Sequence, residues 1–239
     1  MTALARALEL LYVPRCAACD VRVPTGQPLC PPCASSLVEL GPACPRCAEP
    51  LAAPPAVTCA RCARGDWPLE STAAPWRFGG DLARALRRLK FERRPDLARE
   101  LAPLVTPFLA AVARAGEVGL VVPVPLHWRR LAERGFNPAQ ALVASASKRG
   151  ELAVPVDAAA LRRVRATAPQ TGLSAAERER NLRKAFRVAP RHVRRVAGRR
   201  VLLVDDVITT GATLAAAARA LRDAGALAVL GFAVARAGD

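Results

Sequence analysis

Val201-Leu202-Leu203-Val204-Asp205-Asp206-Val207-Ile208-Thr209-Thr210-Gly211-Ala212-Thr213 decides the fold of this 239-residue chain. The apolar run Val201 to Val204 suits a strand buried on both faces of a parallel sheet, and such sheets bind ligands at the carboxyl ends of their strands, where Asp205 and Asp206 fall. Thr209 to Thr213 then supply one glycine, little bulk and three hydroxyls ahead of an Ala-rich helix expected over 214–224, with Gly225 as its stop. Backbone N–H groups at a helix start, with the positive end of its dipole behind them, bind a phosphate monoester. Paired carboxylates beside them accept hydrogen bonds from vicinal sugar hydroxyls. The stretch reads as a site for a sugar phosphate.

Other readings fail on chemistry or position. No G-x-x-x-x-G-K-[ST] places a lysine on the phosphates of a nucleoside triphosphate, and no G-x-G-x-x-G is present. A phospho-accepting receiver domain also begins with a strand ending in two aspartates, but only 33 residues follow Asp206, too few for the rest of that domain.

The eight cysteines are four C-x-x-C pairs: Cys16/Cys19, Cys30/Cys33, Cys44/Cys47 and Cys59/Cys62. Two residues between thiols let both sulfurs of a tight knuckle face one ion, and two knuckles complete a tetrahedral four-sulfur site for Zn²⁺. The halves 16–33 and 44–62 are near copies, so the region is expected to be a double zinc ribbon with two structural ions. Pairing of neighbouring knuckles is preferred, with a RING-like cross-brace left open. Four thiolates per ion leave no open position for catalysis, and disulfides suit a secreted chain, for which nothing here speaks. So small a module needs its metal to fold.

Lys and Arg number 36 against 20 Asp and Glu, a formal charge of +16, so anionic partners are expected; eight thiolates holding two zinc ions would leave +12. The Ala- and Arg-rich composition also fits a GC-rich genome, so clustering of charge is the better signal. The longest apolar candidate for a membrane span, Leu101 to Ala113, is short and carries two prolines. Met1 to Val13 lacks a cleavage site and is expected to be an amphipathic helix. These features read as a cytoplasmic protein without membrane insertion.

Three regions are expected: 1–68, an N-terminal helix and the double ribbon; 69–116, a helical connector packing on the next domain; and 117–239, the ligand-binding domain. In the connector, 75–78 reads as a short strand, Asp81 as the cap of a helix over 82–91, and 96–115 as a second helix. The first helix has Leu82, Leu86 and Leu89 on one face and Arg84, Arg87, Arg88 and Lys90 largely on the other. That basic face reads as solvated, with phosphate tracking as the alternative. A strand over 119–124 leads through Arg129, Arg130 and Arg134-Gly135 to a helix opening near Pro138. A strand end feeding a glycine and arginines supplies what a pyrophosphate needs, with Arg134 and Gly135 the best candidates. Residues 161–186 read as a mobile loop, with Ser174 and Glu177 as a capping box.

The 201–213 stretch resembles the phosphoribosyl-pyrophosphate (PRPP) signature of type I phosphoribosyltransferases. The double ribbon, together with Arg165-x-Thr167-x-x-Gln170-x-x-Leu173, then Arg178, Asn181 and Phe186, resembles the ComF family. This implies an α/β fold, a type I phosphoribosyltransferase-like parallel sheet with flanking helices, preceded by a small double zinc ribbon with four cysteines to each ion. The resemblance also implies PRPP bound with Mg²⁺. Asp205 and Asp206 would hold the ribose hydroxyls, Thr209, Thr210, Gly211, Ala212 and Thr213 the 5′-phosphate, and Arg134 and Gly135 the pyrophosphate. A loop carrying Arg165 and Gln170 would close over the reacting ribose. The family is linked to uptake of transforming DNA, which implies single-stranded DNA and other competence or DNA-transport proteins as partners. Trp67, Trp76 and Trp128 are the candidates for base stacking, and core roles suit each of them equally. The activity implied is phosphoribosyl transfer to an unnamed acceptor; the alternative is a single-stranded-DNA-binding competence factor whose PRPP pocket acts as a sensor.

Overall fold

A computed structural model describes residues 13–52, 57–65, 67–165 and 184–238. The expected N-terminal helix therefore lies almost entirely outside the described residues. The elements run α1 (Pro31–Ser35), α2 (Ala60–Ala63), β1 (Thr72–Ala73), β2 (Trp76–Arg77), α3 (Gly80–Phe91), α4 (Leu97–Ala115), β3 (Leu120–Pro123), α5 (Trp128–Arg134), α6 (Pro138–Lys148), β4 (Leu161–Arg163), β5 (Phe186–Val188), α7 (Val193–Val196), β6 (Arg200–Ile208), α8 (Ala212–Asp223) and β7 (Ala228–Arg236).

The main sheet is parallel, ordered β1-β7-β6-β3, with β2 also on β7. Val201 of β6 pairs with Leu120 of β3 and Val229 of β7. The strand is apolar on both faces because both are covered. Leu202 and Val204 pack among Leu101, Val105 and Leu109 of α4 and Leu142 and Val143 of α6. Val201 and Leu203 pack on the other face with Leu214, Ala218 and Leu221 of α8. The fold class expected from the sequence is thus present. β4 and β5 form a separate antiparallel pair.

The halves of the cysteine-rich region pack on opposite faces of this sheet. Cys16, Cys30 and Cys33 share a core with Leu82, Leu86 and Leu89 of α3. Cys44, Cys47 and Cys62 share the other with Trp67, Leu69 and Leu214.

Several local expectations need correction. Gly79, not Asp81, is the N-cap of α3. Asp81 sits in the first turn, where its N–H donates to Ser36 Oγ at 3.3 Å and its carboxylate pairs with Arg84, so a free N–H of this turn is satisfied from the segment after the first ribbon. The basic face of α3 is not simply solvated, because Arg88 donates to the carbonyls of Cys16 and Ala17 and pairs with Asp20 and Glu92. Helix α5 occupies a segment whose sequence announces only a connection between a strand and a helix. α4 accommodates Pro103 and Pro107, and among the described residues no helix is long and apolar enough to cross a membrane.

Candidate sugar-phosphate site

β6 runs four residues past the expected end at Val204. Its neighbour β3 stops at Pro123, opposite Val204, and Pro125 follows with no N–H to continue the ladder. Asp205 and Asp206 thus lie in the strand where one flank is uncovered, the first half-buried and the second buried. The Asp206 N–H donates to Asp205 Oδ1 at 2.9 Å. Burial, reinforced by the Asp206 charge, raises the Asp205 carboxyl to about 7, although Lys90 and Arg163 pull the other way.

Lys90, in the last turn of α3, places Nζ 2.9 Å from Asp206 Oδ1. The sequence put this lysine on a basic face and gave it no place in the site; only the packing of α3 on the sheet brings it there. Arg134, half-buried at the end of α5, adds a second positive charge acting on Asp206, and its guanidinium lies 5.2 Å from the Phe91 ring centroid. Gly135 is the left-handed C-cap of α5, and its N–H is taken by the Leu131 carbonyl at 2.7 Å. Asn137 closes the segment by donating to the Val124 carbonyl and capping α6 through the Ala139 N–H. Arg163 of β4 acts electrostatically on Asp205, while Arg165 is exposed two residues further on. Gln170, Ser174, Glu177, Arg178 and Asn181 lie outside the described residues, and Phe186 is buried in β5.

Thr209, Thr210 and Gly211 connect β6 to α8, of which Ala212 and Thr213 begin the first turn. Gly211 has φ +75°, and a Cβ there would lie 2.5 Å from the Trp67 ring. Arg61 Nη1 donates to the Thr210 carbonyl at 2.7 Å. Sequence reasoning assigned neither side chain a role at this loop. Trp67 is buried, Trp76 is half-buried and edge-on to Phe108, and Trp128 is 65% exposed, so the three indoles differ in role.

The cysteines gather as Cys16, Cys19, Cys30, Cys33 and as Cys44, Cys47, Cys59, Cys62, with the sulfurs of each group within 4.8 Å of one another. Neighbouring knuckles therefore pair, as preferred, and no cysteine is in a disulfide. Cys19 and Cys30 sulfurs lie 3.6 Å apart, and Cys47 and Cys59 sulfurs 3.5 Å. A tetrahedral zinc with Zn–S bonds of about 2.3 Å spaces its sulfurs about 3.8 Å apart, so each group fits one ion. Burial opposes ionisation of Cys16, but N–H donors from Cys30, Cys19 and Ala18 outweigh it and bring the thiol to about 7. Cys44 has the same balance, with donors from Cys59, Cys47 and Arg46, and also falls to about 7. Amide donors aimed at these two sulfurs favour their thiolates, while burial and the neighbouring sulfurs push the Cys33 and Cys62 thiols well up, so one charged thiolate opposes the next until a cation joins them.

Comparison with known proteins agrees with both parts. Residues 7–63 match the double zinc ribbon domain and residues 131–238 the phosphoribosyl transferase domain. The DNA utilization protein YhgH of Escherichia coli strain K12 is 34% identical over 217 residues, covering 90% of this chain and 86% of that protein. The protein of the same name from Salmonella typhimurium is 36% identical over 181 residues, covering 74% and 77%. Competence protein F of Haemophilus influenzae is 32% identical over 182 residues, covering 75% and 78%. A phosphoribosylpyrophosphate synthetase structure from Mycobacterium smegmatis is 22% identical with a TM-score of 0.31, covering 56% of this chain and 33% of that one, too loose a likeness to bear on function. With two four-cysteine centres packed on a parallel sheet that ends in an acid pair and a small-residue loop, the chain belongs to the ComF family of double-zinc-ribbon phosphoribosyltransferase-domain proteins.

Proposed function

We propose that this chain binds PRPP with Mg²⁺ at the end of β6 and transfers its phosphoribosyl group to an acceptor, in the service of DNA utilization. The observation that carries the reading is the run of Asp205 and Asp206 straight into the loop that opens α8, with Lys90 and Arg134 on the acid pair. Asp205 and Asp206 accept hydrogen bonds from the ribose 2′- and 3′-hydroxyls. Residues 209–213 take the 5′-phosphate at the start of a 12-residue helix, and Arg134 faces the leaving pyrophosphate. Mg²⁺, held largely by substrate oxygens, would neutralise charge on the pyrophosphate. As the bond to pyrophosphate breaks, positive charge grows on the ribose, and the fixed acid pair is placed to stabilise it. Lys90 leaves Asp206 when the hydroxyls arrive and turns to the pyrophosphate.

The test is calorimetry with PRPP and Mg²⁺ on the wild type and on Asp205→Asn/Asp206→Asn, beside an assay for pyrophosphate release. Losing two charge-assisted acceptors weakens PRPP at least ~100-fold. Equal binding by both proteins contradicts the assignment.

A second reading, binding of single-stranded DNA with PRPP as a sensed ligand, is favoured by one surface. Phe91 and Trp128 are 70% and 65% exposed, with the guanidinium of Arg134 over the first ring and that of Arg129 5.4 Å from the second. Bases stack on such rings while arginines follow the phosphates. Relatives are named a DNA utilization protein and a competence protein, which supports a DNA-related role; single-stranded DNA as the partner, the cytoplasm as the place and other DNA-handling proteins as company belong to this reading. Trp128→Ala/Phe91→Ala weakens single-stranded DNA about tenfold or more. The wild-type affinity falls with salt; an affinity independent of ionic strength rules this surface out as a phosphate-binding one. Tight PRPP binding without pyrophosphate release from any acceptor makes the sensor reading the better one.

A further inference from the structure

The two ribbons are near copies in cysteine spacing but not in the residues between the cysteines. The first has Cys16-Ala-Ala-Cys19 and Cys30-Pro-Pro-Cys33, whereas the second has Cys44-Pro-Arg46-Cys47 and Cys59-Ala-Arg61-Cys62. Both of these arginines are committed to the phosphate loop or to the tryptophan beside it. Arg46 Nη2 donates to the Trp67 carbonyl at 2.9 Å, which fixes the backbone of that residue. Arg61 stacks its guanidinium 4.6 Å from the Trp67 ring centroid and donates Nη1 to the Thr210 carbonyl at 2.7 Å. The Trp67 ring in turn fills the space where a Cβ of residue 211 would stand.

Taking the sugar-phosphate reading of 205–213 as its basis, we propose that Arg61 and Trp67 are positioning residues of the phosphate loop, so that the second zinc ribbon is a wall of the ligand site. A trans peptide points its C=O and the following N–H in opposite directions. Holding the Thr210 carbonyl toward Arg61 therefore turns the Gly211 N–H away from that arginine, the direction from which the phosphate comes in this proposal. The Trp67 ring bars any side chain at 211, so the left-handed turn there is left to glycine. Arg61 keeps its place because it is one residue from a zinc ligand, and Glu49 faces it from the opposite knuckle with Nη2 to Oε2 at 4.0 Å. Loss of the metal from Cys44, Cys47, Cys59 and Cys62 releases α2, and with it the hydrogen bond to Thr210. The metal-bound form of this ribbon is thus the one that holds the phosphate loop in its binding shape.

The experiment uses the full-length, two-zinc protein with ribose 5-phosphate as probe, and PRPP with Mg²⁺ beside it. In a Trp76→Phe/Trp128→Phe background, Trp67 is the remaining tryptophan, and ribose 5-phosphate shifts its emission. Arg61→Met weakens ribose 5-phosphate about tenfold and abolishes that shift, at unchanged zinc content, and Arg61→Lys restores part of the affinity. Arg15→Met, on the exposed surface of the first ribbon, binds as the wild type does. Cys59→Ser extends the test to the metal, and the Arg61 variants decide the matter if it fails to fold. If the wild type binds the probe and both Arg61→Met and Trp67→Phe bind within twofold of it, the ribbon is not part of the site and the inference falls. If the wild type binds neither ligand, the sugar-phosphate reading falls first and takes this inference with it.

Discussion

Asp205 carries a stability cost that pH reveals. In the unfolded chain its carboxyl ionises near 4, whereas in the folded, ligand-free protein burial and the Asp206 charge delay ionisation to about 7. Between those values the unfolded chain holds fewer protons, so this group's contribution to stability is fully present below about 4 and is lost as the pH rises through about 7. Asp205→Asn, neutral throughout, is therefore more stable than wild type by roughly 1–3 kcal/mol at pH 8 and about equal to it at pH 4. Melting curves across that range check it; a gain that does not depend on pH would mean that ionisation is not its source. Gly211→Ala is a second expectation at the level of single atoms. It meets both the φ of +75° and the Trp67 ring at 2.5 Å, so phosphate affinity falls well beyond the ~1 kcal/mol of a left-handed alanine alone. Adding Trp67→Leu recovers part of the loss, as binding of ribose 5-phosphate would report. The acid pair and this glycine are legible in the sequence because they sit together with their chemistry exposed. Lys90, Arg61 and Trp67 are not, since each reaches the site from an element whose position only tertiary packing fixes.

The strands and helices were legible to the degree that they bury apolar residues in a regular pattern. β6, α4 and α8 do so, and each lies close to its expected span, with end shifts set by neighbours: β6 runs on to Ile208, and α8 begins at Ala212 under the left-handed Gly211. α5 buries no side chain, so it leaves no periodic signal. It is capped by His127, which accepts from the Arg129 N–H, and tied to the end of α3 by Arg93, which donates to the Glu133 carbonyl at 2.9 Å. α3 in turn is tied to the first ribbon by Arg88, whose side chain is 13% exposed and holds the Cys16 and Ala17 carbonyls beside Asp20. Arg88→Met breaks these bonds and leaves the carbonyls unpaired, costing about 2–4 kcal/mol in denaturant unfolding. PRPP affinity falls with it, because α3 delivers Lys90. An unchanged unfolding midpoint would place the link between ribbon and helix elsewhere.

The double ribbon is readable as a metal module from its cysteines, down to a choice between two pairings, yet its relation to the sheet is not, because C-x-x-C spacing specifies what binds the ion and nothing about what the knuckle's other surface touches. In the folded chain its two halves close the two hydrophobic cores on opposite faces of one sheet. The join to the second half reaches β7: Arg236, 2% exposed, pairs with Glu49 and donates to the Cys47 carbonyl at 3.1 Å. A module so enclosed cannot unfold without uncovering apolar surface of the sheet and leaving a buried arginine unpaired, a change costing several kcal/mol. Zinc release and loss of the parallel sheet are therefore one cooperative event. In a thermal ramp followed by both a chromogenic zinc chelator and far-ultraviolet circular dichroism, the two signals have one midpoint. A strong chelator lowers that midpoint by tens of degrees, because the binding energy of two structural ions is part of the folding energy. Zinc release well below an unmoved second transition would instead make the ribbon an appendage, and the sheet would then hold its ligand loop without it.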